Sequence, residues 1–218
     1  MDTPTSLISQ RGLLIVVSGP SGAGKGTICK QLLDRNPQIQ LSISVTTRKP
    51  RLGEVDGVNY YFKTEADFLR MISDADFLEY AKVYDSFYGT RKQYVKEKLL
   101  HRQDVILEID IQGALKIKEK FDEGVFIFIV PPSMDELKKR IVKRATESQS
   151  DILKRFQSAY QELNFISRYN YVVINDTIDD AVKRIEAIII AEKCRVDRNN
   201  NLNTILQGGQ LNDLPISD

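Results

Sequence analysis

Leu13-Leu14-Ile15-Val16-Val17-Ser18-Gly19-Pro20-Ser21-Gly22-Ala23-Gly24-Lys25-Gly26-Thr27 is the stretch that decides the fold. Leu13–Val17 is an unbroken apolar run rich in branched side chains, the pattern of a strand covered on both faces. It ends in the turn Ser18-Gly19-Pro20, and Thr27–Arg35 then reads as a helix stopped near Asn36-Pro37. Between strand and helix, Gly19–Lys25 matches the G-x-x-x-x-G-K core of a phosphate loop. Phosphate oxygens need several amide donors converging at close range. Glycines let the backbone curl so that those amides point inward, and the start of the following helix adds its positive dipole end. Lys25 is placed to follow the β- and γ-phosphates of a triphosphate. The position after it, usually Ser or Thr for a metal ion, is Gly26, which makes Thr27 the candidate metal-side hydroxyl.

Outward from this unit the pattern repeats. Apolar runs recur at Ile39–Val45, Val105–Ile109, Val125–Val130 and Tyr171–Ile174, with room between them for helices over Arg91–His101, Gln112–Lys120, Met134–Arg144, Ile152–Ile166 and Ile178–Arg195. Such alternation predicts a parallel sheet flanked by helices. Ser133, Thr64 and Thr177, each with an acidic residue three positions on, mark helix starts. Two segments break the rhythm. Thr46–Thr90, rich in Arg, Tyr, Gly and Asp, reads as an insertion with its own small sheet, including strands near Tyr60–Phe62 and Phe77–Val83. The polar stretch Arg144–Asp151 reads as a flap.

Composition bounds the function. In 218 residues, 31 Lys and Arg stand against 30 Asp and Glu, so no bulk charge draws the chain to nucleic acid or to a membrane, and any anion site must be local. No apolar run approaches the roughly 18–20 residues of a membrane-spanning helix. The start of the chain lacks the pattern of a secretory signal, and the two cysteines, Cys29 and Cys194, lie far apart, so free thiols in a cytoplasmic setting are expected. No His/Cys spacing suggests zinc.

A phosphate loop specifies a triphosphate but not a reaction. Ser44-Val45-Thr46-Thr47-Arg48-Lys49-Pro50-Arg51 sets hydroxyls and two arginines at a predicted strand end, where Arg48 and Arg51 suit a monophosphate. Gly53-Glu54-Val55-Asp56-Gly57, Tyr60-Tyr61-Phe62, Phe77-Leu78-Glu79-Tyr80 and Tyr88-Gly89-Thr90 follow in order, then Glu108-Ile109-Asp110-Ile111-Gln112-Gly113, Val130-Pro131-Pro132-Ser133 and Arg144-Ala145-Thr146-Glu147-Ser148. Across nearly all of Leu13–Arg195 this pattern resembles the guanylate kinases. Ala145 stands where the family commonly has glycine.

The resemblance implies the nucleoside monophosphate kinase variant of the phosphate-loop α/β fold: a parallel core sheet flanked by helices, a small α+β insertion that binds GMP, and a lid. The core would comprise 11–46, 91–138 and 158–197, the insertion 47–90, the lid 139–157, and a poorly ordered tail 198–218. It implies Mg-dependent transfer from ATP to GMP, with dGMP as an expected second acceptor. Gly19, Pro20, Ser21, Gly22, Ala23, Gly24, Lys25, Gly26, Thr27 and Asn175 would hold ATP. Arg48, Arg51, Tyr60 and Tyr88 would hold the GMP phosphate, while Ser44, Glu79, Thr90 and Asp110 read the guanine. Lys25, Arg48, Arg140, Arg144 and Arg155 would stabilise the charge of transfer.

Guanine chemistry agrees independently. Its N1–H and exocyclic amine are donors that one carboxylate can accept together, whereas adenine turns an acceptor towards it. Discrimination of ~10⁴-fold is within reach of such a site. Period-2 geometry puts Glu108 and Asp110 on one face, able to act through the water shell of Mg²⁺ as well as on guanine. Two other readings stay open at this point: another monophosphate kinase, favoured by Gly26-Thr27, and a non-catalytic guanylate-kinase-like interaction module, opposed by the intact Gly24 and Lys25. The expected partners are the small molecules ATP and GMP, with oligomeric state left open.

Overall fold

The computed structural model describes residues 11–83, 85–143 and 149–199, with the side chains of 143, 149–152, 154 and 155 outside that description. β1 (Leu14–Ser18) is buried along its whole length. It pairs in parallel with β7 (Val105–Glu108) on one side and β8 (Val125–Val130) on the other. β2 (Gln40–Leu41) extends the sheet beside β7 and β9 (Tyr171–Ile174) beside β8, giving the order β2-β7-β1-β8-β9, all parallel. Parallel neighbours need crossovers. These are supplied by α1 (Lys25–Arg35), α3 (Lys92–Leu100), α4 (Ile111–Lys118), α5 (Met134–Lys143) and α6 (Gln149–Glu162), while α7 (Ile178–Lys193) follows the last strand and packs back on the sheet beside α1.

The unbroken hydrophobicity of the first strand follows from this burial. Leu13, Ile15 and Val17 face Ile28 and Leu32 of α1 and Val182, Ile185 and Ile189 of α7. Leu14 and Val16 face Val95 of α3 and Ala114 and Ile117 of α4. Each such side chain contributes about 2 kcal/mol on leaving water, so the strand is held from both sides.

A second sheet has the order β4-β3-β6-β5, from β4 (Tyr61–Phe62), β3 (Val45–Thr46), β6 (Ser86–Arg91) and β5 (Phe77–Val83). Only β3 and β4 run parallel in it. α2 (Glu65–Ser73) covers it through Phe68, whose ring stacks on Phe77 at 4.5 Å and on Phe87 at 5.4 Å.

Three expectations shift in detail. The run Ile39–Val45 is not one strand. The Ser42 amide still donates to Ile106 O in the core, but Ser44 O already accepts from Tyr61 of the small sheet, so the segment divides between two sheets. Helix α1 begins at Lys25 rather than Thr27, because Gly24 takes the N-cap position. The helix expected over Ile152–Ile166 runs Gln149–Glu162 and continues as a 3₁₀ segment, Leu163–Arg168. The three expected caps are present: Thr64, Ser133 and Thr177 accept from the amides of Asp67, Glu136 and Asp180 at 3.1 Å each. Past α7, Arg198 donates to Glu192 and Asn199 to the carbonyls of Lys193 and Arg195, which pins the last described residues. The tail read for 198–218 lies, from residue 200 on, outside the described residues.

Candidate active site

The phosphate loop joins β1 to α1 at the carboxyl end of the sheet. Gly24 has φ +94°, a left-handed conformation, and a Cβ there would lie 2.3 Å from Asn175 Nδ2, so the position needs glycine twice over. Asn175, buried just after β9, donates from Nδ2 to Ala23 O at 2.7 Å and from its amide to Val130 O at 2.8 Å. The loop is thereby clamped to the far side of the sheet. No side chain caps α1 and no acidic residue sits in its first turn, which leaves its positive end open to an anion.

Lys25 folds back over the loop, donating to Gly19 O at 2.6 Å and Pro20 O at 3.2 Å. Burial pulls its pKa down, with the charge of Glu108 the main opposing influence. Gly26 and Thr27 are exposed. A Cβ on Gly26 would lie 3.3 Å from Glu108 Oε1, so this glycine admits a carboxylate where other phosphate loops carry a hydroxyl.

Across the cleft, cross-strand register assembles the other residues. Glu79 of β5 pairs with Thr90 of β6, and Thr90 Oγ1 donates to Glu79 Oε1 at 2.7 Å. Glu79 is 5% exposed. Burial pushes its carboxyl up to about 7, the Thr90 hydroxyl opposing and the charge of Asp110 adding to the rise. Ser44 is half-buried at the start of β3.

Asp110 requires a correction. β7 ends at Glu108, and Asp110 lies beyond it as the N-cap of α4, its Oδ1 accepting from the amides of Gln112 at 2.8 Å and Gly113 at 3.1 Å. The strand periodicity that would place the two carboxylates on one face therefore does not reach Asp110. Glu108 lies against the phosphate loop at Gly26, while Asp110 acts on Glu79.

Beside this pocket Arg48 lies over the Tyr60 ring at 5.3 Å, and Tyr60 meets Tyr88 edge-on at 5.9 Å. Arg48 is held bidentately by Glu54, at 2.9 and 2.8 Å, and Glu54 also accepts from the Arg51 amide at 2.7 Å. The Arg51 side chain is exposed. The charge of Glu108 acts on both Lys25 and Tyr60.

α5 supports the loop from the other side. A Cβ on Gly22 would meet Ile141 at 3.0 Å and Leu137 at 3.1 Å, so this helix packs directly on it. Arg140 donates from Nε to Glu136 at 3.0 Å and from Nη2 to Asn175 O at 3.3 Å, which sets it next to Gly24. Arg144 lies outside the described residues, and of Arg155 only the backbone, within α6, is described.

Sequence reading missed Glu54 and Glu162. For Glu54 a signal existed, since a carboxylate three residues past Arg51 is a natural partner for that cluster. Glu162, at the end of α6, accepts from Ser158 Oγ at 3.1 Å. Burial raises its carboxyl, against hydrogen bonding from Ser158 and the charge of Lys25. Nothing local in the sequence marks it.

A phosphate loop at the carboxyl end of a parallel sheet, with a second small sheet beside it that carries the Glu79–Thr90 pair and the Arg48–Tyr60–Tyr88 cluster, is the arrangement of a phosphate-loop nucleoside monophosphate kinase. Among known proteins, the family model for guanylate kinase matches residues 11–192. The guanylate kinase of Caldanaerobacter subterraneus subsp. tengcongensis is 67% identical over 195 residues, 89% of this chain and 95% of that one. That of Clostridium acetobutylicum is 60% identical over 191 residues, 88% and 91% of the two chains. The crystal structure of guanylate kinase from Anaplasma phagocytophilum superposes with a TM-score of 0.79 at 33% identity, covering 93% of this chain and 97% of that one. The chain belongs to the guanylate kinase family, and it is an ATP:GMP phosphotransferase.

Proposed function

We propose that this chain moves the γ-phosphoryl group of Mg–ATP in line onto GMP, and onto dGMP, in the cytoplasm, with the guanine read by Glu79, Thr90, Ser44 and Asp110. The observation that carries the reading is the buried Glu79–Thr90 pair beside Asp110: a carboxylate held out of water, facing the edge at which guanine has two donors and adenine has one acceptor.

Arg48, Tyr60, Tyr88 and Arg51 take the acceptor phosphate. Glu54 fixes the Arg48 fork in advance, so little side-chain entropy is lost on binding. Gly19–Thr27 and Asn175 hold ATP. Lys25 exchanges its loop carbonyls for phosphate oxygens and, with Arg140, Arg144 and Arg155, neutralises charge that grows on the transferring group. The rate comes from positioning and electrostatics, without a covalent enzyme intermediate.

Among the described residues no cluster of three or more His, Cys, Asp or Glu forms a metal cage. Thr27 and Glu108, beside the phosphate loop, would hold a Mg²⁺, which would offset the negative charge of the triphosphate. No helix among the described residues is long and apolar enough to cross a membrane. A coupled assay with GMP, dGMP, AMP and UMP tests the acceptor: GMP and dGMP are expected to be used well, and a preference for AMP would overturn the assignment.

A further inference from the structure

α4 carries a glycine in its first turn, Gly113, where alanine would favour the helix by about 0.5–1 kcal/mol. No positive φ demands it. What demands it is space. A Cβ on Gly113 would lie 2.6 Å from Glu79 Oε2, 3.1 Å from its Cδ and 3.5 Å from Oε1. The carboxylate thus occupies, Oε2 foremost, the space a side chain on Gly113 would fill, while Thr90 holds Oε1 at 2.7 Å. The Gly113 amide also donates to Asp110, so one residue touches two of the groups assigned to guanine.

We propose that Gly113 is a positioning residue for guanine selectivity: the missing side chain is the seat that sets the depth of the Glu79 carboxylate in the acceptor pocket. The proposal rests on Glu79 as the guanine reader. Because the collision falls on the tip of a flexible side chain and not on backbone, Gly113→Ala should fold. It should lift the carboxylate off its seat, towards the space that guanine occupies. A misplacement near 1 Å at such a site costs on the order of 10²-fold.

The test uses Gly113→Ala, Glu79→Asp, the double variant and Glu79→Gln, each assayed with GMP and with IMP, which lacks the 2-amino group. Gly113→Ala is expected to raise the KM for GMP at least tenfold, leave the KM for ATP within about twofold, and collapse the preference for GMP over IMP. Shortening the acid withdraws it from the new methyl group, so Glu79→Asp should rescue Gly113→Ala in part while impairing the parent.

A Gly113→Ala enzyme with parental GMP kinetics and parental GMP/IMP preference would overturn the proposal. So would a loss of more than about 10 °C in melting temperature that Glu79→Asp does not restore, since the glycine would then serve helix packing alone. If Glu79→Gln itself keeps parental GMP selectivity, it is the guanine assignment that fails. If Glu79→Gln loses selectivity and Gly113→Ala does not, only the role of the glycine fails.

Discussion

With Glu79 as the proposed guanine reader, GMP binding should depend on pH in a direction that can be worked out in advance. Its carboxyl sits at about 7 in the nucleotide-free protein, raised from about 4.5 by burial, with Asp110 adding to the rise and Thr90 and Lys116 opposing it. To accept two donors from guanine it must be ionised. With a group at about 7, about one molecule in eleven is competent at pH 6 and ten in eleven at pH 8, so GMP affinity should be about tenfold weaker at pH 6. The GMP phosphate also titrates near pH 6, as phosphate monoesters do. The needed control is therefore Glu79→Gln, in which the phosphate still titrates and the side chain does not. Calorimetric titration of both proteins from pH 5.5 to 8.5 isolates the carboxylate as the difference between the two curves.

Stability must move the opposite way. Glu79 is raised on folding, so its contribution is fully present below about 4.5 and is lost as pH rises through about 7. The gap of about 2.5 pH units, at about 1.4 kcal/mol each, makes the nucleotide-free protein roughly 3 kcal/mol less stable at pH 8 through this residue alone. Glu79→Gln should flatten that slope in urea titrations. Parallel pH curves for parent and variant, in binding and in stability, would refute the reasoning.

Four further outcomes are expected. Lys25→Met should lose about 10³-fold in turnover with GMP affinity and melting temperature kept, checked by kinetics and calorimetry; near-parental turnover would remove Lys25 from the chemistry. Glu54→Gln frees the Arg48 fork and should raise the KM for GMP about tenfold with the KM for ATP unchanged, read from steady-state kinetics. Of the two thiols, exposed Cys194 should react quickly with a disulfide reagent, while buried Cys29, its pKa pushed up by burial, should react only on unfolding. Glu192→Ala leaves Arg198 and Tyr171 without their shared buried carboxylate and should cost about 3 kcal/mol in chemical denaturation without changing turnover.

Much of this was legible in the chain because the relevant signals are local. Leu13–Val17 is apolar throughout because both its faces are covered, and the left-handed turn of the loop itself calls for Gly24. Other features are settled by register across the fold, which local pattern does not carry. Asp110 shares a two-residue spacing with Glu108, yet the ladder stops at Glu108 and the next carboxylate serves a helix end. Ile39–Val45 is uniformly strand-like, but Gln40 and Leu41 pair with β7 while Val45 and Thr46 pair with β4 and β6. Glu162 reaches the phosphate loop from the end of a distant helix. No spacing within the chain announces that.

The division of that strand bears on mechanism. The small sheet joins the core through Ser42–Ser44 on one side and through Arg91-Lys92, where β6 passes straight into α3, on the other. Residues assigned to guanine lie in or beside both links, Ser44 in the first and Thr90 next to the second. The small sheet also touches the core without a covalent link. Glu79 rests on Gly113, and Lys116 of α4 donates to Tyr80 O at 2.6 Å. On the proposed assignment the base site is a joint between the two sheets, with Glu79 and Thr90 on one side and Asp110 and Gly113 on the other. A base that engages both sides fixes the small sheet relative to the core, and with it the distance from Arg48 and Tyr60 to the phosphate loop. Reading guanine and setting the acceptor phosphate in line with ATP are, on this geometry, one event. A base that leaves Glu79 unpaired forfeits alignment as well as affinity, which places discrimination in turnover as much as in binding.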